Sequence, residues 1–218
     1  MAKEREIKTN LLQSIILFVR ENHAADIDKA YAYFWDEAQP DELLSGTALE
    51  LGFVNFEDWL LFDYKVNEDK QTFLEIYAAG HAGLKAGEKA VIDKIKGSVL
   101  SFYEVVSVAK DKRVLLKDLL LDEEFSLKDK YLTRGLNKGD LFATRILELD
   151  GNHIMSGCVY PYGATRKKNV LAAVDKQFSR FKRNVNAEGT MREYLKDYGD
   201  VFNLIWLKLL TESPEEKQ

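Results

Sequence analysis

Residues Ser101-Phe102-Tyr103-Glu104-Val105-Val106-Ser107-Val108 decide the fold class. From Ser98 onward the apolar repeat changes from about 3.6 residues to about 2, and aromatic and β-branched residues suit a pleated sheet. Further strands are predicted at 114–119, 125–132, 141–149 and 153–159, with Asp150-Gly151 as a hairpin turn. Strands this short and this evenly spaced predict a small antiparallel β-barrel, or a curved sheet, of about five strands.

Helices are predicted before these strands, because apolar residues there recur at helical spacing. The first spans residues 7–21, and Asp26 is predicted to cap the second, with Pro40 just past its end. A helical turn is predicted to stop at Gly52, and Asn55 to cap the next helix. Two more helices are predicted in this region, one from Thr72 to Gly80 and one over 86–96.

Helices are also predicted after the strands, which Pro161 and Gly163 are expected to end. One spans about 166–185, and a final pair runs from Gly189-Thr190 to Leu210. The charged tail at 213–218 is predicted to fray. We therefore predict an α+β protein with a helical region at 1–97, a barrel at 98–162 and a second helical region at 163–218, packed as one compact unit.

Composition narrows the class of protein. Hydrophobic residues make up 46% and charged residues 31%, which predicts a packed core. Cys158 is the only cysteine, so neither an internal disulfide nor a cysteine-rich zinc site can form. The N-terminus lacks a signal-type apolar core, and the longest apolar runs are too short to span a bilayer. A cytoplasmic protein without a membrane span is expected.

Four short motifs, in a fixed order, resemble a known family. They are Phe56-x-Asp58-Trp59-x-x-Phe62-Asp63-Tyr64, Ser101-x-Tyr103-Glu104-Val105, Asp118-Leu119-Leu120 and Gly139-Asp140-x-x-x-x-Arg145. Residues 45–160 thereby resemble the region that accompanies SEC-C zinc motifs in uncharacterised bacterial proteins. The resemblance implies N-terminal helices and a small β-barrel, and it implies no known activity. The zinc motif itself is absent, since Cys158 is alone.

Charge is unevenly distributed along the chain, which carries −5 overall. Residues 36–75 hold 11 acids against Lys65 and Lys70, whereas residues 166–183 hold seven bases against Asp175. The two regions could lie close together and neutralise each other, or the basic stretch could meet an anionic partner. We favour neutralisation, because surface charge alone is a weak predictor of partners.

The helix at 166–185 is predicted to be amphipathic. Its apolar residues face the core, and its basic residues project to the opposite side (Lys168, Lys176, Arg180 and Arg183). These four are the predicted contacts for an anion or a nucleic acid. Phe178 and Phe181 are expected to point inward, so the basic face lacks aromatic rings for base stacking. An isoelectric point near 5.4 also disfavours general nucleic-acid binding.

Tests for catalytic, metal and cofactor sites give no candidate. His23, His81 and His153 have no metal-binding spacing. The segment 80–89 is rich in glycine and lysine but lacks Gly-Lys-Ser/Thr, so it is not a phosphate loop. Cys158 lies five residues from His153 on one predicted strand, which places them on opposite faces, and it is expected to be a buried apolar residue.

Two acids near the helix capped by Asn55 suggest a structural role. On a helix, Asp58 and Asp63 diverge by about 140°, so they are not expected to share a metal. Most of the acids here are expected to cap and solvate the helix. As a hypothesis, Asp63 pairs with a buried Arg145 and fixes the helix against the barrel.

Three functions remain open. The preferred one is a non-enzymatic protein-interaction or regulatory module, because no catalytic arrangement passes a spacing test and small barrels often serve binding. The first alternative is a nucleic-acid-associated protein that uses the basic face of the helix at 166–183. The second is an enzyme whose site lies between helices and barrel, with polar residues such as Asp58, Glu104 and Arg145. The expected partner is another protein.

Overall fold

The fold is described from a computed structural model, which covers residues 3–211. Six helices precede the sheet: α1 (Glu4–Asn22), α2 (Ala24–Phe34), α3 (Pro40–Leu43), α4 (Gly46–Phe62), α5 (Phe73–Gly80) and α6 (Ala86–Ile95). The prediction for residues 213–218 lies outside the described residues. Within them, none of the helices combines the length and the apolar character needed to cross a bilayer.

The strands form a closed five-stranded barrel with a sixth strand attached. They are β1 (Leu100–Ala109), β2 (Arg113–Asp118), β3 (Glu124–Leu127), β4 (Leu141–Leu149), β5 (Asn152–Met155) and β6 (Tyr160–Tyr162), with a short helix α7 (Leu132–Gly135) before β4. The order β1-β2-β3-β5-β4 closes through pairing of β4 with β1, and β6 also pairs with β4. The barrel is mixed, because β3 and β5 pair in parallel while the other pairs are antiparallel. The predicted α+β architecture with a small barrel is confirmed.

Alternation along the strands divides the core into two clusters. Alternate residues point to opposite faces of a sheet, so Tyr103, Val105 and Phe142 fill the barrel. Their neighbours Phe102 and Ala143 point outward and join the larger cluster formed with the helices. The barrel's outer face is therefore buried by the helical part of the chain.

The C-terminal helices follow a short 3-10 turn at Ala164–Arg166. They are α8 (Lys167–Asn184), α9 (Met191–Asp197) and α10 (Val201–Thr211). Helix α8 buries Val170, Val174 and Phe181, and its basic face stays exposed as predicted. The Tyr162 hydroxyl on β6 donates a hydrogen bond to the Phe202 carbonyl oxygen at 2.8 Å, which ties α10 to the sheet.

The predicted helix boundaries at Gly52 and Asn55 are wrong, because α4 runs through both residues. Gly52 does not end a helix; it lies inside α4 and allows close packing. A Cβ atom there would lie 2.6 Å from the ring of the buried Trp35. Asn55 is also buried, and its side-chain amide bonds the backbone of Val159 rather than a helix end. Both residues serve contacts with distant parts of the chain.

Other boundaries also differ from the prediction, and the strand predicted over 125–132 already ends at Leu127. Helix α2 begins at Ala24, so Asp26 lies in its first turn, and Pro40 starts α3, where a missing N–H is tolerated. The strand predicted over 153–159 ends at Met155, since Gly157 at φ +132° bends the chain. The chain then resumes as β6, which contains Pro161 rather than stopping before it.

The predicted Asp150-Gly151 turn and the predicted helix starts at Thr72 and Thr190 are confirmed. Asp150 and Gly151 have φ of +53° and +65° in the hairpin between β4 and β5, a conformation that a two-residue hairpin turn requires. Thr72 and Thr190 each form a capping box, at the starts of α5 and α9.

Candidate functional site

A buried ion network joins the helices to the barrel. The Arg145 side chain on β4 has no solvent exposure. Its Nε donates to Asp58 Oδ1 at 2.9 Å, its Nη1 donates to the Ser98 carbonyl oxygen at 2.8 Å, and its Nη2 donates to the Asp63 carboxylate. The hypothesised pair of Asp63 and Arg145 is confirmed, and Asp58 is a second partner.

Asp58 and Asp63 converge although a helical projection sets them apart. Asp63 follows the last residue of α4, at φ −127° and ψ −31°, so it no longer follows the helical path. Its carboxylate can therefore reach the same guanidinium as Asp58. The Arg145 guanidinium also lies 4.5 Å from the centre of the Phe62 ring. All three nitrogens of the Arg145 guanidinium are thus engaged in bonds within the protein.

Lys196 on α9 extends the network. Its Nζ donates to the Phe62 carbonyl oxygen at 2.8 Å and lies 3.8 Å from Asp63 Oδ1. Burial lowers the pKa of Lys196 to about 8, although the Asp63 charge opposes that shift. Burial likewise raises the pKa of Asp63, against the effect of Arg145. The network thus packs α4 and α9 against the barrel through charges that are shielded from water.

Of the three polar residues predicted for an enzyme site, only Asp58 and Arg145 lie together. Asp58 and Arg145 bond each other inside the network, whereas Glu104 accepts from Lys167 Nζ at 2.6 Å in a partly exposed pair. A groove of about 320 Å³ does lie between the helices and the barrel. Two of the charged residues that line it are already paired, Arg192 with Glu123 and Lys94 with Glu4. Ser98 in this groove donates its hydroxyl to the Ile95 carbonyl oxygen and is not activated by a base.

Cys158 and the histidines show no arrangement for catalysis or metal binding. Cys158 is fully buried and lies beyond the end of β5, so it does not share a strand with His153. Burial raises the pKa of its thiol, whose sulfur lies 3.3 Å from the Ser156 hydroxyl oxygen. Over residues 3–211 there is no group of three or more His, Cys, Asp or Glu side chains that could hold a metal ion.

An apolar groove lies beside the basic face of α8. We call it the tyrosine groove; its volume is about 270 Å³. It is formed by α2, α8, α9, α10 and the turns next to them, and lined by Tyr33, Gln177, Arg180, Phe181, Asn184, Val185, Tyr194, Tyr198, Asp200, Val201 and Leu204. Four of these are large apolar side chains that remain exposed (Tyr33, Val185, Tyr198 and Leu204). Single exposed apolar residues are common, but these four lie together around one concave site.

The tyrosines are held in place by neighbours. The Tyr33 hydroxyl donates to Asp200 Oδ2 at 2.7 Å, and its ring stacks on Trp59 with centroids 5.8 Å apart. The Tyr198 ring stacks on Tyr194 at 5.6 Å. Burial and the nearby Asp200 charge raise the pKa of Tyr33, and burial raises that of Asp200. The groove therefore presents a preformed apolar surface.

The predicted basic contacts border this groove. Arg180 lines it, and Lys176 and Arg183 lie one helical turn away on either side of Arg180. Lys168 is further towards the start of α8. Among the described residues, none of these four basic side chains forms an ion pair. Likewise, within 3–211, no ion pair links the acidic stretch 36–75 to the basic stretch 166–183. The basic face is thus free of ion pairs in the described part of the chain.

Sequence reasoning identified the basic face but missed the groove. The basic face of α8 has no aromatic ring of its own, and helical spacing describes only the residues of that helix. The structure brings Tyr33 and Tyr198 to its edge from α2 and from the turn after α9. Val185, at the predicted end of this helix, lies just past the last turn of α8 and is exposed.

Comparison with known proteins gives a family without a function. The model of a family described as "Family of unknown function (DUF7986)" matches residues 50–197, which is more than half of the chain. No curated protein and no solved structure matches. The match says nothing of SEC-C motifs, of bacteria or of the cytoplasm, so these stay predictions. It includes the ion network and all of α8.

Proposed function

Because the chain belongs to a family of unknown function (DUF7986), we propose its role from the surface of the molecule. It is a non-enzymatic protein-interaction module of the cytoplasm, and its docking surface is the tyrosine groove. The observation that carries this proposal is the group of four exposed apolar side chains beside a basic helix face without ion pairs.

The chemistry of the groove defines the partner. Its apolar walls suit aliphatic or aromatic side chains, and Arg180 with Lys176 and Arg183 suits carboxylates. We therefore propose that the partner is an acidic segment of another protein with apolar anchor residues. At about 270 Å³ the groove is smaller than most small-molecule pockets, roughly 300–1,000 Å³, so it fits one or two anchor side chains.

Nucleic acid is the second candidate, since the exposed tyrosines add rings that α8 itself lacks. Base stacking needs a free ring face. Trp59 covers one face of Tyr33 and Tyr194 covers one face of Tyr198, so at most one face of each ring is left for a base. The predominantly apolar lining offers little to a phosphate backbone. That lining favours a peptide over a single-stranded nucleic acid.

Selection from a displayed library of random peptides tests the proposal. We expect enriched peptides to combine Asp or Glu with Leu, Phe or Trp. Leu204→Ser should weaken their binding about tenfold or more, a loss typical of an anchor contact. Leu210→Ser is the matched control, because both leucines are on α10 and 47% exposed but only Leu204 lines the groove. Arg180→Glu should weaken binding and reduce its dependence on salt.

Three outcomes would contradict this function. The selection could enrich no acidic apolar peptide, or the two leucine variants could bind the selected peptide equally. The third outcome concerns labelled oligo(U) and oligo(dT), which we expect not to bind. Binding that falls steeply between about 50 and 200 mM salt, and fails when Lys176, Arg180 and Arg183 are all changed to Glu, would establish the nucleic-acid function instead.

A further inference from the structure

A second apolar cleft lies on the other side of α2 from the tyrosine groove. It is enclosed by α1, α2 and α4 and has a volume of about 270 Å³. Its walls are apolar, with Ile16 from α1, Ile27 and Tyr31 from α2, and Phe53 and Leu60 from α4. Arg20 and Glu57 stand at its edge. We call it the acidic cleft, for the carboxylates described below.

The two sites are separate surfaces that share one helix as a wall. Tyr31 lines the acidic cleft and Tyr33 lines the tyrosine groove. Residues two apart on a helix project about 200° apart, so these side chains leave α2 on opposite sides. A ligand in the cleft therefore has no direct contact with the lining of the groove.

Carboxylates surround the exposed apolar residue of the cleft. Phe53 is 44% exposed. Glu50 and Glu57 lie three residues before it and four after it, and residues at these spacings share a helix face. Between described residues Glu50 forms no ion pair, and Glu57 pairs only with Arg20 at 3.3 Å. The two side chains of that pair are 65% and 47% exposed, so the pair contributes little to stability. A basic residue of a partner could therefore replace Arg20 beside Glu57.

We propose that the acidic cleft binds a basic amphipathic helical segment of a partner protein. An apolar side chain of the segment would enter between α1, α2 and α4, and its Lys or Arg residues would pair with Glu50 and Glu57. Amphipathic helices bind apolar grooves through anchors at i, i+3, i+4 and i+7. Helix α4 carries the exposed acids Glu50 and Glu57 and no basic residue, which is complementary to such a segment.

The test uses synthetic peptides of defined chemistry. The probe is a fluorescein-labelled helical peptide of Leu and Lys, with Leu at i, i+3, i+4 and i+7. One control peptide has Glu in place of Lys, and a second has the same composition with the Leu residues scattered. We expect only the probe to bind with measurable affinity, and Glu50→Lys with Glu57→Lys to weaken it at least tenfold.

Matched variants separate the cleft from general surface attraction. Phe53→Ser should weaken the probe at least fivefold. Leu17→Ser should leave it unchanged, because Leu17 on α1 is 58% exposed but does not line the cleft. Both sites are exposed, so the variants are expected to fold, which circular dichroism checks. Binding of the acidic peptides proposed for the tyrosine groove should be unaffected by Phe53→Ser, so failure of one site is distinguishable from failure of the other.

Other outcomes overturn the proposal. Equal binding of the peptide with scattered Leu residues would show that the probe binds by nonspecific charge attraction and not in the cleft. Equal effects of Phe53→Ser and Leu17→Ser would show the same. Preferential binding of the Leu/Glu peptide would reverse the assigned charge. Self-association in sedimentation equilibrium that Phe53→Ser abolishes would make a second copy of this chain the occupant.

Discussion

Replacing Arg145 with methionine is expected to lower the free energy of unfolding by about 3–5 kcal/mol. Methionine fills similar space but leaves Asp58 and Asp63 without the guanidinium that bonds both of them. Removing one partner of a buried pair is costly because the remaining charges stay desolvated. Urea denaturation followed by circular dichroism measures the change.

Arg134→Met is the matched control for Arg145→Met. Arg134 pairs with Asp111 at 3.0 Å, but the two side chains are 59% and 49% exposed, so its loss should cost no more than about 1 kcal/mol. The account also expects Asp58→Leu, Asp63→Leu and Arg145→Met together to recover much of the loss, since Lys196, which still donates to the Phe62 carbonyl oxygen, is then the one charge of the network that remains. Equal effects of the two single arginine variants would show that the network does not hold the helices to the barrel.

Replacing Asn55 with alanine should cost about 2–4 kcal/mol. The buried Asn55 amide donates from Nδ2 to the Val159 carbonyl oxygen at 2.9 Å and accepts from the Val159 N–H at 2.8 Å. Alanine leaves both backbone groups without their partner at a position where water has limited access. The expected result is a lower denaturation midpoint and faster hydrogen exchange at the Val159 amide.

Asn67→Ala provides the comparison for Asn55→Ala. The Asn67 amide also makes two hydrogen bonds, both to Gln71, but it lies on the surface. Water can replace these bonds, so the change should stay within about 1 kcal/mol. Unchanged exchange at the Val159 amide in Asn55→Ala would contradict the role assigned to Asn55.

Where local chemistry determines structure, the sequence was sufficient. Alternating apolar residues predicted the strands, Asp150-Gly151 predicted the hairpin, and Thr72 predicted the start of α5. The pair of Asp63 and Arg145 could also be proposed, because a charged residue inside an apolar stretch needs a partner. Each of these signals lies within a few residues or rests on a simple charge rule.

Where contacts between distant residues determine a helix boundary or a strand pairing, the sequence alone predicts it wrongly or not at all. Gly52 and Asn55 look like helix signals, but Trp35 and Val159 explain why they are present. The parallel pairing of β3 with β5 depends on how the barrel closes, which no short segment encodes.

The candidate site was predictable only in part. Helical spacing was enough to identify the face of Lys176, Arg180 and Arg183. The apolar half of the tyrosine groove was not predictable, because Tyr33 and Leu204 come from helices that are far apart in the chain and meet only in the folded protein.

The central claim is that the tyrosine groove binds an acidic apolar segment, and NMR mapping tests it most directly. A peptide enriched by selection is titrated into ¹⁵N-labelled protein while backbone amide shifts are followed. The account predicts that the largest changes cluster at residues of the groove, including Tyr33, Arg180, Tyr198 and Leu204. Changes centred on another surface, such as the groove around His153 and Arg192, with those four amides unmoved, would contradict it.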